Sequence, residues 1–347
     1  MSESKVKRGA NRQRFFFVVT GLNSTTTAAI SIFLILVAHA WSQPVQGSLE
    51  VRWDEGAANC GATSHEPLQG HVYEPQTFIL RQSLCASFEG NFLYLLVGSN
   101  KALLIDTGAV GDSTQMPLAK KVLELLPDKD NAKLPLLVVH THGHLDHRAG
   151  DSQFASLPSV KVVPSDLEAV RAFFGFTNWP DGIAQVELGD RTIDVIPTPG
   201  HHLAHVAFYD RRTGILFSGD FLMPARLTME DAAAYRASVV RIVNFVQTRP
   251  LTHILGGHIE LDTAGHAYGM GSHYHPNEHR LELSKEDLLA LPAALKNFNG
   301  FYARHPSFIL SNPRHNLAAL AISAVALSIF VVWAVRRLLR RRRRSAA

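Results

Sequence analysis

One short stretch concentrates the side chains that can do chemistry. The apolar run 134–139 breaks off into His140-Thr141-His142-Gly143-His144-Leu145-Asp146-His147. Imidazole nitrogens and carboxylate oxygens are the ligand atoms of zinc and similar divalent metals. His142 and His144 stand two apart, so on an extended backbone they face the same side. Asp146 and His147 follow after one residue and can turn toward a second ion. The same pattern, a short apolar run ending in an acid or a histidine, recurs at Asp106, His201, Asp220 and His258. Strand ends set side by side at one sheet edge bring their last residues to a common point, and rigid elements suit a metal cluster better than scattered loops.

The elements that must position these residues are legible as alternating strands and helices. Short apolar runs at 78–80, 92–97 and 102–105, separated by Gly, Ser and Asn, predict strands. A helix is expected over 116–126, stopped by Pro127, and a strand over 134–139 leads into the histidines. Further strands are expected at 160–163, 192–196, 206–209, 215–217 and 253–255, with 206–217 forming a hairpin. Asp166 caps a helix to about residue 174. Residues 230–246 have helical amphipathic spacing, and Ser284 with Asp287 resembles a capping box for a helix to about 296. Residues 41 to about 75 read as an irregular lead-in.

Both ends differ from the middle. A basic start is followed by apolar residues 25–38 and by Ala38-His39-Ala40, a small-x-small cleavage pattern, so residues 1–40 are expected to be a signal peptide or, alternatively, an uncleaved N-terminal anchor. Residues 317–335 carry no charge and are followed at once by arginines, which predicts a transmembrane helix and a basic cytoplasmic tail, 336–347. The expected organisation is thus a catalytic domain over 41–300, a linker over 301–316, and the span. The formal net charge of +4 is misleading, because the two basic ends leave −7 on the middle. That excludes nucleic acid as the expected partner, since phosphate binding needs positive surface. The tail belongs on the cytoplasmic side, which puts the body outside, on a cell membrane (in the periplasm of a bacterium). Cys60 and Cys85 are the two cysteines, and in such an oxidising compartment they are expected to pair, with two buried thiols as the alternative.

In order along the chain, His142-x-His144-x-Asp146-His147, Pro199-Gly200-His201, Ser218-Gly219-Asp220 and Gly257-His258 are similar to the motifs of the metallo-β-lactamase superfamily. Leu104-Ile105-Asp106-Thr107-Gly108 resembles its first, non-ligating motif. The resemblance spans roughly residues 75–260. It implies an α/β fold, a four-layer αβ/βα sandwich with the metals in a groove between two sheets. By the same resemblance His142, His144 and His201 would hold one divalent ion, and Asp146, His147 and His258 the other. Asp220 would bridge them, and Asp106 would orient the histidine loop. Zinc suits the donor set first, with iron or manganese as alternatives. Two such ions acidify a shared water, and the hydroxide attacks an electrophilic carbonyl or phosphoryl centre. Asp146 would align that hydroxide and take its proton, so Asp146 and Asp220 are the expected catalytic carboxylates.

Substrate class is read from the bridging position. True β-lactamases of the superfamily typically carry Cys or Ser where this chain has Asp220, and Asp there resembles the glyoxalase II, lactonase, sulfatase and phosphodiesterase branches. The expectation is an exported, membrane-anchored hydrolase of a small-molecule ester, thioester, lactone or amide. A β-lactamase, or a catalytically inactive metal-binding sensor module, is the alternative. His140 and His205 are expected to pack beside ligands and His253 to be structural. In the loop 259–280, Tyr268, Tyr274 or His275 either face the substrate or lie on a solvated loop.

Overall fold

The computed structural model describes residues 43–62 and 64–345. The expected signal peptide or anchor at 1–40 lies outside the described residues.

Two six-stranded sheets form the middle of the body. The first is ordered β1 (Leu68–Glu74), β2 (Thr77–Gln82), β3 (Phe92–Val97), β4 (Ala102–Ile105), β5 (Leu136–Val139) and β6 (Val160–Val162). Its first four strands are antiparallel neighbours, and β4, β5 and β6 run parallel. The second contains β7 (Ala184–Glu187), β8 (Thr192–Pro197), β9 (Val206–Asp210), β10 (Ile215–Gly219), β11 (His253–Gly256) and β12 (Glu282–Leu283). Only β10 and β11 are parallel in it.

Side-chain alternation explains the layers. In β3, Phe92, Tyr94 and Leu96 enter the core between the sheets, whereas Leu93, Leu95 and Val97 enter a second core on the outer face. Helix α1 (Leu118–Leu125) covers that outer face through Leu118 and Val122. In the second sheet, Val206 and Phe208 point inward, and Ala207 and Tyr209 point outward. There they meet Tyr235, Val239 and Ile242 of α3 (Ala232–Val246) and Leu288 and Leu291 of α4 (Lys285–Lys296). Helix α2 (Leu167–Phe174) starts at the Asp166 cap and places Val170 in the inter-sheet core. The result is the expected αβ/βα sandwich. Strands buried on both faces read as unbroken apolar runs, which is why β3, β4 and β5 stand out in the sequence.

Two expectations need correcting. The irregular lead-in contains β1, an edge strand whose Gln69, Gly70 and His71 give no clear alternation. The expected linker over 301–316 belongs to the body. Tyr302–Arg304 and Ile309–Ser311 form a three-stranded sheet with Arg226–Thr228, and Phe308, Ile309 and Leu310 are buried. The prolines that suggested a linker mark a turn at Pro306 and the start of a helix at Pro313. That helix, α5 (Pro313–Ser345), begins before the expected span and runs past it. Within Pro313–Arg337 an 18-residue stretch has a mean hydropathy of 2.5 and none of it is buried, so the helix is long and apolar enough to cross a membrane. Cys60 and Cys85 are disulfide-bonded, with Cα atoms 5.3 Å apart.

Candidate metal centre

The C-terminal ends of five strands meet at one place. β4 supplies Asp106 and β5 supplies the run from His140 to His147. β8 leads through Pro199-Gly200 to His201, β10 into Asp220, and β11 through Gly257 to His258.

Asp106 organises the loop after β5. Its φ of 65° is left-handed, a region that aspartate enters more readily than most residues. The buried carboxylate accepts from the Thr141 backbone N–H at 2.7 Å and from the Thr141 hydroxyl at 2.8 Å. It also accepts from Nδ1 of His147 at 2.9 Å. Thr141 Oγ1 in turn lies 3.1 Å from Nδ1 of His142 and accepts its proton. Nδ1 of His201 donates to the Thr228 carbonyl at 3.0 Å, and Nδ1 of His258 donates to the Glu89 carbonyl at 2.8 Å. Each of these four rings is therefore held by Nδ1 and turns Nε2 inward, the nitrogen that a metal takes once its proton is gone.

The inward atoms form two adjoining groups. Nε2 of His142 and Nε2 of His201 lie 2.9 and 3.1 Å from Nδ1 of His144. Nε2 of His147 lies 3.2 Å from Oδ2 of Asp146 and 3.3 Å from Nε2 of His258. Asp220 stands between the groups. Its Oδ1 is 3.4 Å from His147 and 3.5 Å from His258, and its Oδ2 is 3.5 Å from His201. All seven residues singled out in the sequence are thus brought together.

These separations fit divalent cations. Tetrahedral bonds of about 2.0–2.1 Å put neighbouring ligand atoms about 3.3 Å apart. Three imidazole nitrogens aimed at one another cannot all be satisfied by hydrogen bonds, and Oδ1 of Asp220 is buried without one of ordinary geometry. A cation is what such a set of lone pairs lacks.

The electrostatics divide the same way. Burial, with the neighbouring imidazoles His147 and His201, holds His142 well below the usual histidine range. Burial likewise lowers His201, although Asp220 opposes it. In the other group burial is outweighed. Asp220 and Asp106 raise His147, and Asp220 and Asp146 push His258 up to about 10. Burial would raise the carboxyls of Asp146 and Asp220, but His147 and His258 bring both well below the usual carboxylate range.

The flanks are close-fitting on one side and open on the other. A Cβ on Gly257 would lie 2.5 Å from Oδ1 of Asp220 and 2.9 Å from Cε1 of His147, so only glycine lets the β11 end pass. Beside His258 lies a cavity of about 180 Å³ lined by Phe88, Glu89, Glu260, Tyr268, Met270 and His275, among others. Tyr268 stacks on His275 with ring centroids 4.2 Å apart. Tyr274 instead bridges to Gly56 and is not part of the cavity lining. Burial raises the Glu89 carboxyl, and Asp146, Glu260 and Asp220 add to the rise against His258.

The remaining histidines support the loops. His140 bonds to Asp151 at 2.8 Å and to the Val163 carbonyl at 3.2 Å. His205 bonds to Thr198 at 2.7 Å and stacks on His142 at 5.2 Å. His253 is partly buried, edge-on to Tyr73 at 6.1 Å. Sequence reasoning missed Glu89, Thr141, Thr228 and Glu230. Thr141 was findable, lying between two histidines; the others reach the centre from distant segments with no local pattern.

A family model described as the metallo-beta-lactamase superfamily matches residues 88–294. The acyl-coenzyme A thioesterase MBLAC2 of Gallus gallus is 27% identical over 244 residues, which is 61% of this chain and 86% of that protein. A hydroxyacylglutathione hydrolase of Aeromonas hydrophila subsp. hydrophila is 27% identical over 260 residues, 71% of this chain and 95% of that one. Among solved structures, a metallo-beta-lactamase from Pontibacter korlensis aligns with 67% of this chain and 100% of its own, at 19% identity and a TM-score of 0.46.

Proposed function

This chain belongs to the metallo-β-lactamase superfamily and is a metal-dependent hydrolase, and from that premise we propose that it cleaves esters or thioesters at a two-metal centre on a membrane-anchored body. His142, His144 and His201 would hold one divalent ion and Asp146, His147 and His258 the other, with Asp220 placed between the two groups. The observation that carries this is the inward set of ring nitrogens and carboxylate oxygens at 2.9–3.5 Å. Zinc suits neutral imidazoles mixed with carboxylates, ahead of iron or manganese. When bound, such ions polarise a substrate oxygen and acidify water.

The chain's own residues do the rest. Asp106, through Thr141 and His147, fixes the ligand loop. Asp146 presents Oδ2 to His147 and His258 and keeps a second carboxylate oxygen to orient water and take its proton. The cavity beside His258 receives part of the substrate, with the Tyr268–His275 stack as a wall. Two relatives named as hydrolases of acyl compounds support ester or thioester before lactone, and Asp220 in place of Cys or Ser speaks against a β-lactam amide. The disulfide and the arginine block after α5 support a body on the extracytoplasmic side.

Purified full chain tests the reading. It should hold two divalent ions and hydrolyse chromogenic esters and thioesters faster than lactones or cephalosporins. Asp220→Ala should lower turnover by at least about 100-fold. Metal-free purified chain, or activity surviving that substitution, would sink the two-metal assignment; cephalosporin turnover without ester turnover would make it a β-lactamase.

A further inference from the structure

A single carboxylate separates the candidate metal centre from the first turn of α5. Glu230 Oε1 lies 3.5 Å from Nε2 of His144, and Glu230 Oε2 lies 3.8 Å from Nη2 of Arg314. The exit of the helix is fixed. Ile309–Ser311 pairs with Arg226–Thr228, the strand whose last carbonyl holds His201. The His315 backbone N–H donates to Oδ1 of Asn312 at 3.1 Å, and its Nδ1 donates to the Gly300 carbonyl at 2.9 Å. Nδ2 of Asn316 donates to the Phe301 carbonyl at 3.2 Å. No loop intervenes between these ties and the apolar segment.

Where the membrane would begin follows from length. Residues 317–335 rise about 28 Å as a helix, close to the hydrocarbon thickness of about 30 Å. Leu317 then marks the near boundary and Val335 the far one. Exposed Phe301 and Tyr302 sit beside the near boundary. Trp333, with Arg337 stacked 5.1 Å from its ring, sits at the far one. Aromatic rings at both boundaries are what an interface favours. Arg314 is therefore at headgroup depth, and His144 is one carboxylate away from it. The two ligand loops also carry exposed leucines, Leu145 at 64% and Leu203 at 55%. Singly such leucines are ordinary; these two flank the ligands whose loop is tied to the span.

We propose that the catalytic groove opens at the lipid–water interface and takes its substrate from the membrane, a carboxylic ester or thioester of a long acyl chain whose carbonyl lies at headgroup depth. This rests on the anchored-hydrolase reading above. The chemistry is hydrolysis without redox change. Water adds to the acyl carbon, the bond to the alcohol oxygen or thiol sulfur breaks, and the water's proton goes to the leaving group. The acyl chain need not leave the bilayer, because the protein meets it at the depth where its carbonyl already lies.

Two measurements on the full chain in phosphatidylcholine vesicles test this. Both natural cysteines are bridged, so one introduced thiol can be labelled alone. A fluorophore on Leu203→Cys should lose most of its emission to lipids carrying a nitroxide headgroup. One on Asp130→Cys should keep it, because the hairpin at 128–133 lies at the opposite end of β5, where Lys129 bonds to the Ser99 carbonyl. Equal quenching at the two positions overturns the proposal and leaves the hydrolase reading standing, since no catalysis is involved. In the second measurement, 4-methylumbelliferyl palmitate is held at constant amount while inert lipid is raised tenfold. The rate should fall by about tenfold as the surface concentration falls, and p-nitrophenyl acetate turnover should not change. A palmitate rate indifferent to added lipid overturns the proposal, and absence of both activities overturns the hydrolase reading along with it.

Discussion

At the scale of single residues, Asp106 is the point on which ligand geometry depends. It holds Thr141 and His147, and through Thr141 it holds His142. Asp106→Ala removes none of the seven proposed ligand residues but should weaken metal affinity by about 10–100-fold, read by competition with a chromophoric chelator; unchanged affinity would remove its orienting role. His258 supplies a pH dependence. Burial opposes its protonation, but Asp220 and Asp146 push it up to about 10 in the metal-free protein, against about 6.5 in an unfolded chain. The folded, metal-free chain therefore holds a proton between those values that the unfolded chain has released. The stability from this contact is full below about pH 6.5 and is lost as pH rises through about 10. A metal must displace that proton, so apparent metal affinity should rise with pH up to about 10 with release of protons, measurable by calorimetry in buffers of different ionisation enthalpy. Affinity falling with pH over that range would contradict the assignment. The seven clustered residues proposed as ligands were legible because the strand-end motifs place them within a few residues of apolar runs. Glu89, Thr228 and Glu230 were not, because each reaches the centre by a contact between distant segments.

At the scale of elements, a buried guanidinium joins the two sheets. Arg191, ahead of β8, bonds to Asp210 of β9 at 2.7 Å and, on the other sheet, to Thr77 Oγ1 and the Gln76 carbonyl, both at 2.7 Å. Arg191→Met leaves Asp210 buried without its cation and should cost about 3–5 kcal/mol, seen as a lower urea midpoint. Arg191→Met with Asp210→Leu should recover part of that loss, and no recovery would mean that the arginine acts by filling space. The same pair shows where sequence reading stops. Strands β3, β4 and β5 announce themselves because both faces are buried, and the capping box at Ser284 marks the start of α4 by local chemistry alone. β1 and the strands at 302–304 and 309–311 did not, since their pairing is set by partners elsewhere in the chain, and the polar residues and flanking prolines imitate a linker.

At the scale of the whole molecule, the charge and the apolar segment decide how the protein sits. The body is acidic, the far end is a block of arginines, and between them lies α5, with its apolar side chains exposed along the span. A helix that is apolar on every side has no stable place in water. Within a bilayer the same side chains would be at home, and on the proposed topology the arginines would stop transfer on the cytoplasmic side. Leu327 and Ile329 lie mid-span and are both exposed. Arginine costs about 3 kcal/mol at the centre of an inserted helix, so Leu327→Arg with Ile329→Arg should remove about 6 kcal/mol of insertion free energy. That should move most of the chain from the carbonate-resistant membrane pellet into the supernatant. Arg336→Ala, at the flank, should leave it in the pellet. If the doubly substituted chain stays in the pellet as the unaltered chain does, α5 is not what holds this hydrolase to the membrane, and the depth assigned to His144 falls with it.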